Sequence, residues 1–335
     1  MIRFISYMYC LLMHCRCLLY RYQVLKTHKF DIPIISVGNI VVGGTGKTPM
    51  VSWLINQCDQ NNIQACVITR GYKRKNKEMF IIDGSRVKNP PYSIKQIGDE
   101  PFLLLNKHPS IKMVIHNNKI KSIKRAVKTL DVDIIILDDG FQSIYIQRDL
   151  DIVMMNADTS KEDLQIIPRG KSREPYRQLQ RADFIIINNN DLLETNRNLM
   201  DKINCQNIPS TYAQKQYTIR DENNKTISNI SGLGELIAVC GIGHPNSFLS
   251  ALIQHNLAIK KQLIYRDHHQ YTERDIQLIY NTMNDLKVST IITTSKDYNK
   301  IQALNYKNKK IIVLDMDLKI NNSNSLMKEI NKLVH

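Results

Sequence analysis

Ser36-Val37-Gly38-Asn39-Ile40-Val41-Val42-Gly43-Gly44-Thr45-Gly46-Lys47-Thr48-Pro49 is the stretch on which the reading of this 335-residue chain turns. Ahead of it, Ile32-Pro33-Ile34-Ile35 reads as a strand. Behind it, Met50 to Ile55 reads as the start of a helix. A strand, a glycine-rich turn and a helix N-terminus form a phosphate cradle. The unpaired N–H groups at the helix start point at an anion, and the helix dipole favours negative charge there. Gly43, Gly44 and Gly46, with Thr45 among them, admit close backbone approach. Lys47 can reach β- and γ-phosphates, and the Thr48 hydroxyl suits magnesium. Pro49 fits the first helical turn, where its missing N–H costs nothing. The pattern G-x-x-x-x-G-K-[ST] is broken at its first glycine, which falls on Val41. An ordinary strand–turn–helix connection is the rival reading, and the Gly-Lys-Thr context weighs against it.

The chain is long enough for two domains and a sizeable core. Lys plus Arg is 46 and Asp plus Glu is 31, a formal net charge of +15 that attracts polyanions such as nucleic acid, anionic lipid or phosphorylated substrates. Zinc-finger spacing and aromatic-basic RNP patterns are both missing, which makes nucleic acid the weaker choice. Seven cysteines, an odd number without a C-x-x-C pair, fit a reducing compartment better than a disulfide framework.

The segment from Phe4 to Tyr20 is apolar but carries His14 and Arg16. At 100° per residue Arg3, Ser6, Cys10, His14, Cys17 and Arg21 share one side, and Ile5, Met8, Leu12, Cys15 and Leu19 follow helical spacing on another. The segment is short for a spanning helix, and no small-residue cleavage site follows it. It is expected to lie in a membrane surface, with Arg16, Arg21, Lys26 and Lys29 facing anionic headgroups. Packing on the protein's own core and a single-pass anchor are the alternatives.

Further along, Ala65 to Thr69 reads as a buried strand ending at Arg70-Gly71-Tyr72, a strand-end position where α/β proteins place ligand contacts. Lys73 to Lys88 reads as a solvated loop or hairpin. Gly98-Asp99-Glu100-Pro101 is a turn with paired acids before a helix. Asp133 to Gly140 is an apolar strand ending in Asp138-Asp139, the magnesium-positioning pattern of phosphate-loop enzymes. Ile152 to Met155 and Phe184 to Ile187 are further strands, and Pro168 to Pro175 is an ordered loop. Strands alternating with helices predict a doubly wound, mostly parallel α/β sheet of the P-loop NTPase type. After Asn190 the composition turns Asn-rich. A hairpin about Glu222 to Asn224 then leads into a smaller α/β domain. It contains Gly241-Ile242-Gly243, a helix with a Thr272/Asp275 capping box, and Lys296-Asp297. The expected division is a membrane-associated helix at 1–29, a kinase domain at 30–212, and a smaller domain at 213–335 that closes over the site.

Together these motifs resemble one family, the tetraacyldisaccharide 4′-kinases, which phosphorylate the lipid A precursor. The residues that carry the resemblance are Val37-Gly38-Asn39, Gly43-Gly44-Thr45-Gly46-Lys47-Thr48-Pro49, Arg70-Gly71-Tyr72 and Gly98-Asp99-Glu100-Pro101. Asp138-Asp139-Gly140-Phe141-Gln142, Arg173-Glu174-Pro175, Gly241-Ile242-Gly243, Asp267-His268-His269 and Lys296-Asp297 follow in family order. The resemblance implies an ATP- and Mg2+-dependent transfer of a γ-phosphate to the 4′-hydroxyl of a tetraacyldisaccharide 1-phosphate. It also implies a monomer on the cytoplasmic face of a bacterial inner membrane. It gives Asp99 the role of proton acceptor and His268 that of its orienting partner across the interdomain cleft. Lys47 stands with the loop on the ATP phosphates, and Thr48 with Asp138 or Asp139 on the metal. Arg70, Tyr72, Glu100, Gln142, Arg173 and Glu174 are implied substrate contacts, and Glu174 either pairs with Arg173 or approaches the metal. Ser143 replaces a common histidine, Lys171-Ser172 replaces Pro-Leu, and Lys119 stands where the family has arginine, which lysine cannot match in bidentate grip. The rivals are a P-loop switch, a nucleic-acid-stimulated ATPase and a non-catalytic membrane scaffold. A switch of the GTPase kind is disfavoured because Lys296 and Asp297 are adjacent, whereas guanine readers separate them by one residue.

Overall fold

The computed structural model of the chain describes residues 1–72, 74, 76–86, 92–189, 203, 207–304 and 310–334. The chain divides into two compact units, Met1–Lys215 with Leu318–His335, and Gln216–Asp317. The expected lysine-rich stretch from Lys73 to Lys88 is described only in part, and the Asn-rich run after Asn190 lies outside the described residues.

The first unit runs α1 (Ile2–Arg21), β1 (Ile34–Gly38), α2 (Lys47–Gln60), β2 (Ala65–Thr69), β3 (Phe80–Asp83), α3 (Ile94–Ile97), α4 (Asp99–Lys107), β4 (Lys112–Ile115), α5 (Lys119–Thr129), β5 (Ile134–Asp138), β6 (Leu150–Asn156), β7 (Phe184–Asn189) and the start of β8 (Ser210–Arg220). Its strand order is β3-β4-β2-β5-β1-β6-β7-β8. Those pairs are parallel except β3 with β4. Parallel strands are covered on both faces, which explains the near-continuous apolar runs. On one face Ile35, Val37, Ile136 and Ile152 pack against Met50, Leu54 and Ile55 of α2. On the other, Ile34, Ile135 and Leu137 meet Ile123 and Ala126 of α5, and Val153 and Ile185 meet Phe141 and Leu179. Each such buried side chain contributes roughly 1.5–3 kcal/mol.

The C-terminal segment corrects the expected division. Residues 213–335 do not form one unit, because the chain from Leu318 returns to the first one. The physical cause is the apolar stripe of the last helix, α9 (Asn324–Val334). Leu326 and Ile330, one turn apart, are buried in the same core as α2. The return is pinned where Thr211 donates to the Asn321 carbonyl and the Asn321 N–H donates to that of Tyr212 (2.9 Å).

Helix α1 is long and apolar enough to cross a membrane by length and composition, the one such helix among the described residues. It touches the unit through its polar side. Ser6 accepts the Arg169 N–H (3.1 Å), and Arg16 donates to the Gln142 carbonyl (3.0 Å). Phe4, Ile5, Met8, Leu11, Leu12 and Leu19 are left exposed. The alternative in which the apolar stripe packs on the protein's own core is therefore not what forms.

The second unit carries β9 (Leu236–Cys240), α6 (Pro245–Gln254), β10 (Ile259–Ile264), α7 (Glu273–Asp285), β11 (Thr290–Thr294), α8 (Ser295–Gln302) and most of β12 (Lys310–Ile320). Its order is β10-β9-β11-β12, all parallel. The expected turn at Glu222 to Asn224 forms, closed by the Arg220–Thr226 bridge. Thr272 and Asp275 make the expected capping box at the start of α7.

Candidate active site

The loop after β1 ends in Gly46, which takes a left-handed conformation (φ 89°) and caps α2 without any side-chain cap. A side chain at Gly46 would collide with Asn188, whose Nδ2 lies 2.9 Å from where a Cβ would sit. Both polar atoms of the buried Asn188 amide have no hydrogen-bond partner among the described residues. A buried, unsatisfied amide costs about 1–3 kcal/mol, so a polar ligand against this loop would relieve it. Asn39 donates to the Thr45 hydroxyl (2.8 Å) and ties the loop to the end of β1. These features fit an anionic phosphate at the front of α2.

Parallel pairing sets Val37 of β1 opposite Asp138 of β5, so the acids emerge beside the loop. Asp138 is buried and accepts the Thr69 hydroxyl (2.8 Å). Burial pushes its carboxyl up to about 6, and the nearby Glu100 carboxylate adds to the rise. Asp139 follows in a left-handed conformation (φ 48°). Burial opposes its ionisation, yet the Arg173 guanidinium, with Lys47 and Lys119, holds the carboxyl well below the usual range. Arg173 grips both of its oxygens (3.1 and 2.9 Å), and the Lys47 ammonium lies 3.6 Å away. Asp139 is thus neutralised by two cations, while Asp138 keeps the Glu100 carboxylate close enough to raise its own. Among the described residues no group of three or more His, Cys, Asp or Glu forms a metal cage. Magnesium commonly takes one or two carboxylates and completes its shell with substrate phosphates and water, so Thr48, Asp138 and Asp139 fit that mode.

Raising a carboxyl on folding makes stability fall with pH. The contribution of Asp138 is full below about pH 4, is lost as pH rises through about 6, and amounts to roughly 3 kcal/mol. In Mg2+-free buffer Asp138→Asn is expected to exceed the unchanged protein in stability at about pH 8 and to match it near pH 4. Urea unfolding at both pH values checks this. A stability difference that does not grow with pH would show that Asp138 is not the titrating group.

Two glycine turns meet beside these acids. Gly71 (φ 66°) and Gly98 (φ 96°) pack back to back. A Cβ on Gly71 would sit 2.6 Å from the Ile97 carbonyl oxygen, and one on Gly98 would sit 3.2 Å from the Tyr72 carbonyl oxygen. This close approach brings Arg70 and Tyr72 next to Asp99, the first residue of α4. Arg70 and Tyr72 are exposed, and Asp99 and Glu100 are half-buried.

Gln142 and Arg173 converge on one acceptor, both donating to the Asn39 carbonyl (2.9 and 3.0 Å). Arg173 also donates to the Asn39 side-chain oxygen. Glu174 does not pair with Arg173. It is buried in an ion pair with Arg181, which stacks over Phe141, and its other carboxylate oxygen has no partner among the described residues. Sequence reasoning gave no role to Asn39, though it quoted it in the Val37-Gly38-Asn39 motif, and missed Thr69 and Asn188, whose only signal is a polar residue in an apolar run. It also read Lys119 as a weakened arginine. Lys119 is 0% exposed, and its ammonium donates to the carbonyls of Asp138 (2.8 Å) and Asp139 (2.6 Å), clamping the turn that carries both acids. His268 belongs to the second unit, where it sits in a left-handed turn (φ 58°).

A family profile described as Tetraacyldisaccharide-1-P 4'-kinase matches residues 1–335. Among similar proteins, the tetraacyldisaccharide 4'-kinase of Desulfotalea psychrophila is 31% identical over 307 residues, covering 89% of this chain and 87% of that one. That of Halothermothrix orenii is 31% identical over 347 residues, covering 97% and 90%. Among solved structures, LpxK from Aquifex aeolicus in complex with ATP superposes with a TM-score of 0.78 at 27% identity, covering 99% of this chain and 98% of that one.

Proposed function

This chain belongs to the tetraacyldisaccharide-1-P 4'-kinase family, and from that premise we propose how its own residues carry out the reaction. It is an ATP-dependent kinase that transfers the γ-phosphate to the 4′-hydroxyl of a tetraacyldisaccharide 1-phosphate in lipid A biosynthesis. The observation that carries the assignment of roles is the meeting, at the ends of β1 and β5, of an uncapped helix start with a pair of acids.

Phosphoryl transfer needs positioning and charge stabilisation more than covalent chemistry. Gly43 to Thr48 hold the nucleotide's phosphates through main-chain N–H groups, and Lys47 moves from Asp139 toward them. Thr48 and Asp138 hold the metal, with Asp139 beside it. Held there, Mg2+ would supply positive charge against that developing on the transferred phosphoryl group. Asp99 takes the proton of the attacking hydroxyl late in the transition state, and His268 assists the same proton transfer. Arg70, Tyr72, Gln142 and Arg173 contact sugar or phosphate, and Glu174 offers its unpartnered oxygen to the same ligand.

Helix α1 lies on the cytoplasmic surface of the inner membrane, its exposed apolar stripe in the lipid. A cavity of about 1090 Å³ beneath it, lined by Leu11, Leu18 and Ile144 with Arg177, supports an amphipathic substrate there. The switch and nucleic-acid readings are not favoured. Asp297, which a guanine reader would need exposed, is buried and accepts the Gly241 N–H (2.9 Å) and the Thr294 hydroxyl (2.8 Å).

Labelled ATP with a disaccharide-1-phosphate lipid is expected to place label on the distal sugar. A Phe4→Glu/Leu12→Glu variant is expected to keep turnover on detergent-dispersed lipid and lose at least about tenfold on lipid in anionic vesicles. Label elsewhere would sink the kinase assignment, and equal loss in detergent and vesicles would sink the role of α1.

A further inference from the structure

Three motif fragments in the second unit have no joint role assigned so far: Gly241-Ile242-Gly243, Asp267-His268-His269 and Lys296-Asp297. The structure joins them. Asp297 lies on the first turn of α8, fully buried. One of its oxygens accepts the Gly241 N–H (2.9 Å), and the carbonyl of the same Gly241 accepts the His268 N–H (3.1 Å). Thr294, the N-cap of α8, donates to Asp297 and accepts its N–H (3.2 Å). The carboxylate is therefore fixed before it grips the glycine.

His268 has a backbone that needs holding. A left-handed φ of 58° is uncommon for a residue with a side chain and persists only where surrounding contacts over-determine it. Its neighbours are locked on both sides. His269 stacks on Tyr265 (4.6 Å between centroids), meets Tyr271 edge-on (5.0 Å), and lies 3.0 Å from the Asp275 carboxylate through Nε2. On the other side the Asp267 carboxylate rests on Gly243, where a Cβ would fall 3.0 Å from its Oδ2. Gly241 cannot carry a side chain freely either, since a Cβ there would lie 3.0 Å from that of His269 and 3.3 Å from Asp297 Oδ1.

A helix cap alone does not require burial. An exposed Asp or Ser does the same work, and burying a carboxylate is expensive unless hydrogen bonds satisfy it. Asp297 is placed where its carboxylate holds main chain rather than solvent. We infer that Asp297 is a positioning residue, which fixes the backbone of His268 through the N–H and the carbonyl of Gly241. The inference rests on the role given to His268 above and deepens it. The motif pair Lys296-Asp297 serves the histidine turn, and the glycine of the second turn is the relay between them.

The test is a double-mutant cycle with a structural readout. Asp297→Ala removes the acceptor of the Gly241 N–H and breaks the grip. It is expected to lower kcat about tenfold and leave KM for ATP within about twofold, as expected of lost positioning. His268→Ala is expected to lower kcat about 10²–10³-fold. The double variant should be no slower than His268→Ala alone to within about twofold, because Asp297 acts through the histidine. Amide exchange at Gly241 and His268 should quicken in Asp297→Ala while β9 and β11 keep their protection. Gly241→Ala, which pushes on the same relay without removing a charge, should repeat both results if Asp297→Ala fails to fold.

Multiplicative losses in the double variant, or unchanged exchange at His268, would overturn the inference. Wild-type turnover in His268→Ala would instead sink the role of the histidine in the reaction. The relay would then stand or fall on the exchange alone.

Discussion

Asp99→Asn is expected to lower kcat about 10³-fold, inside the span of general acid–base effects, while ATP affinity changes by less than about threefold. The substitution keeps size and removes the ability to accept a proton. A thousandfold loss corresponds to about 4 kcal/mol in the barrier. A merely structural role predicts something much smaller. Asp99 and Glu100 both occupy the first turn of α4, where an acid favours the helix dipole by about 0.3–1 kcal/mol. Losing that would shift the melting temperature by a few degrees at most and would barely touch turnover. The magnitudes therefore separate the two accounts. Glu100→Gln removes the other first-turn charge and also relieves its repulsion of Asp138, so it is expected to differ from Asp99→Asn in stability as well as in turnover. Near-wild-type turnover in Asp99→Asn would remove it from the chemistry. Equal loss of nucleotide binding and turnover would assign it to binding instead.

The position of Asp99 was legible before any coordinates, and for a physical reason. Gly98 must take a φ of 96° and lie against the Gly71 turn, so a glycine-acid pair in a turn before a helix marks a backbone that cannot be built otherwise. The same holds for Gly46 at the front of α2, and for Asp138 at the end of an apolar strand. Local rules governed all three, and local rules are what a sequence displays. Parallel strands were legible too, because burial on both faces leaves uninterrupted runs such as Ile134 to Leu137. What stayed hidden depends on which element a stripe or a charge finally meets. The stripe of α9 announces a helix without saying that it returns to the first unit. Glu174 announces a carboxylate without saying that Arg181, seven residues on, takes it in place of the adjacent Arg173. Helix α1 has an apolar and a polar side in the sequence, and only the contacts of Ser6 and Arg16 show which one faces the protein.

Lys119 is the sharpest of these cases, and its removal carries the second large effect. Judged by residue type it was a poor substitute for arginine, since an ammonium cannot make a bidentate grip on a carboxylate. The structure gives it a different task, that of donating to two main-chain carbonyls at once. Three directed protons on one nitrogen suit that geometry. Burial pushes its ammonium down to about 8, against the pull of Asp139 and Asp138, so it remains largely charged at neutral pH. It thereby offsets negative charge at the two acids while fixing the left-handed turn at Asp139. Lys119→Met leaves two buried carbonyls without their donor, a penalty of about 1–3 kcal/mol each, and returns part of the cost of burying a charge. The net change in stability is expected to be modest, because these contributions oppose each other. The change in function is not offset by anything. With the acid turn released and its cation gone, kcat is expected to fall at least about 10²-fold, and half-maximal activation should require more Mg2+. Lys119→Arg keeps a buried cation and several donors, and should recover most of the Mg2+ response even if its bulk costs stability. A folded Lys119→Met protein with unchanged Mg2+ activation would show that the clamp is incidental. Recovery of activity in Lys119→Arg, without recovery of the Mg2+ response, would place the role of this residue in packing and not in holding the acids for the metal.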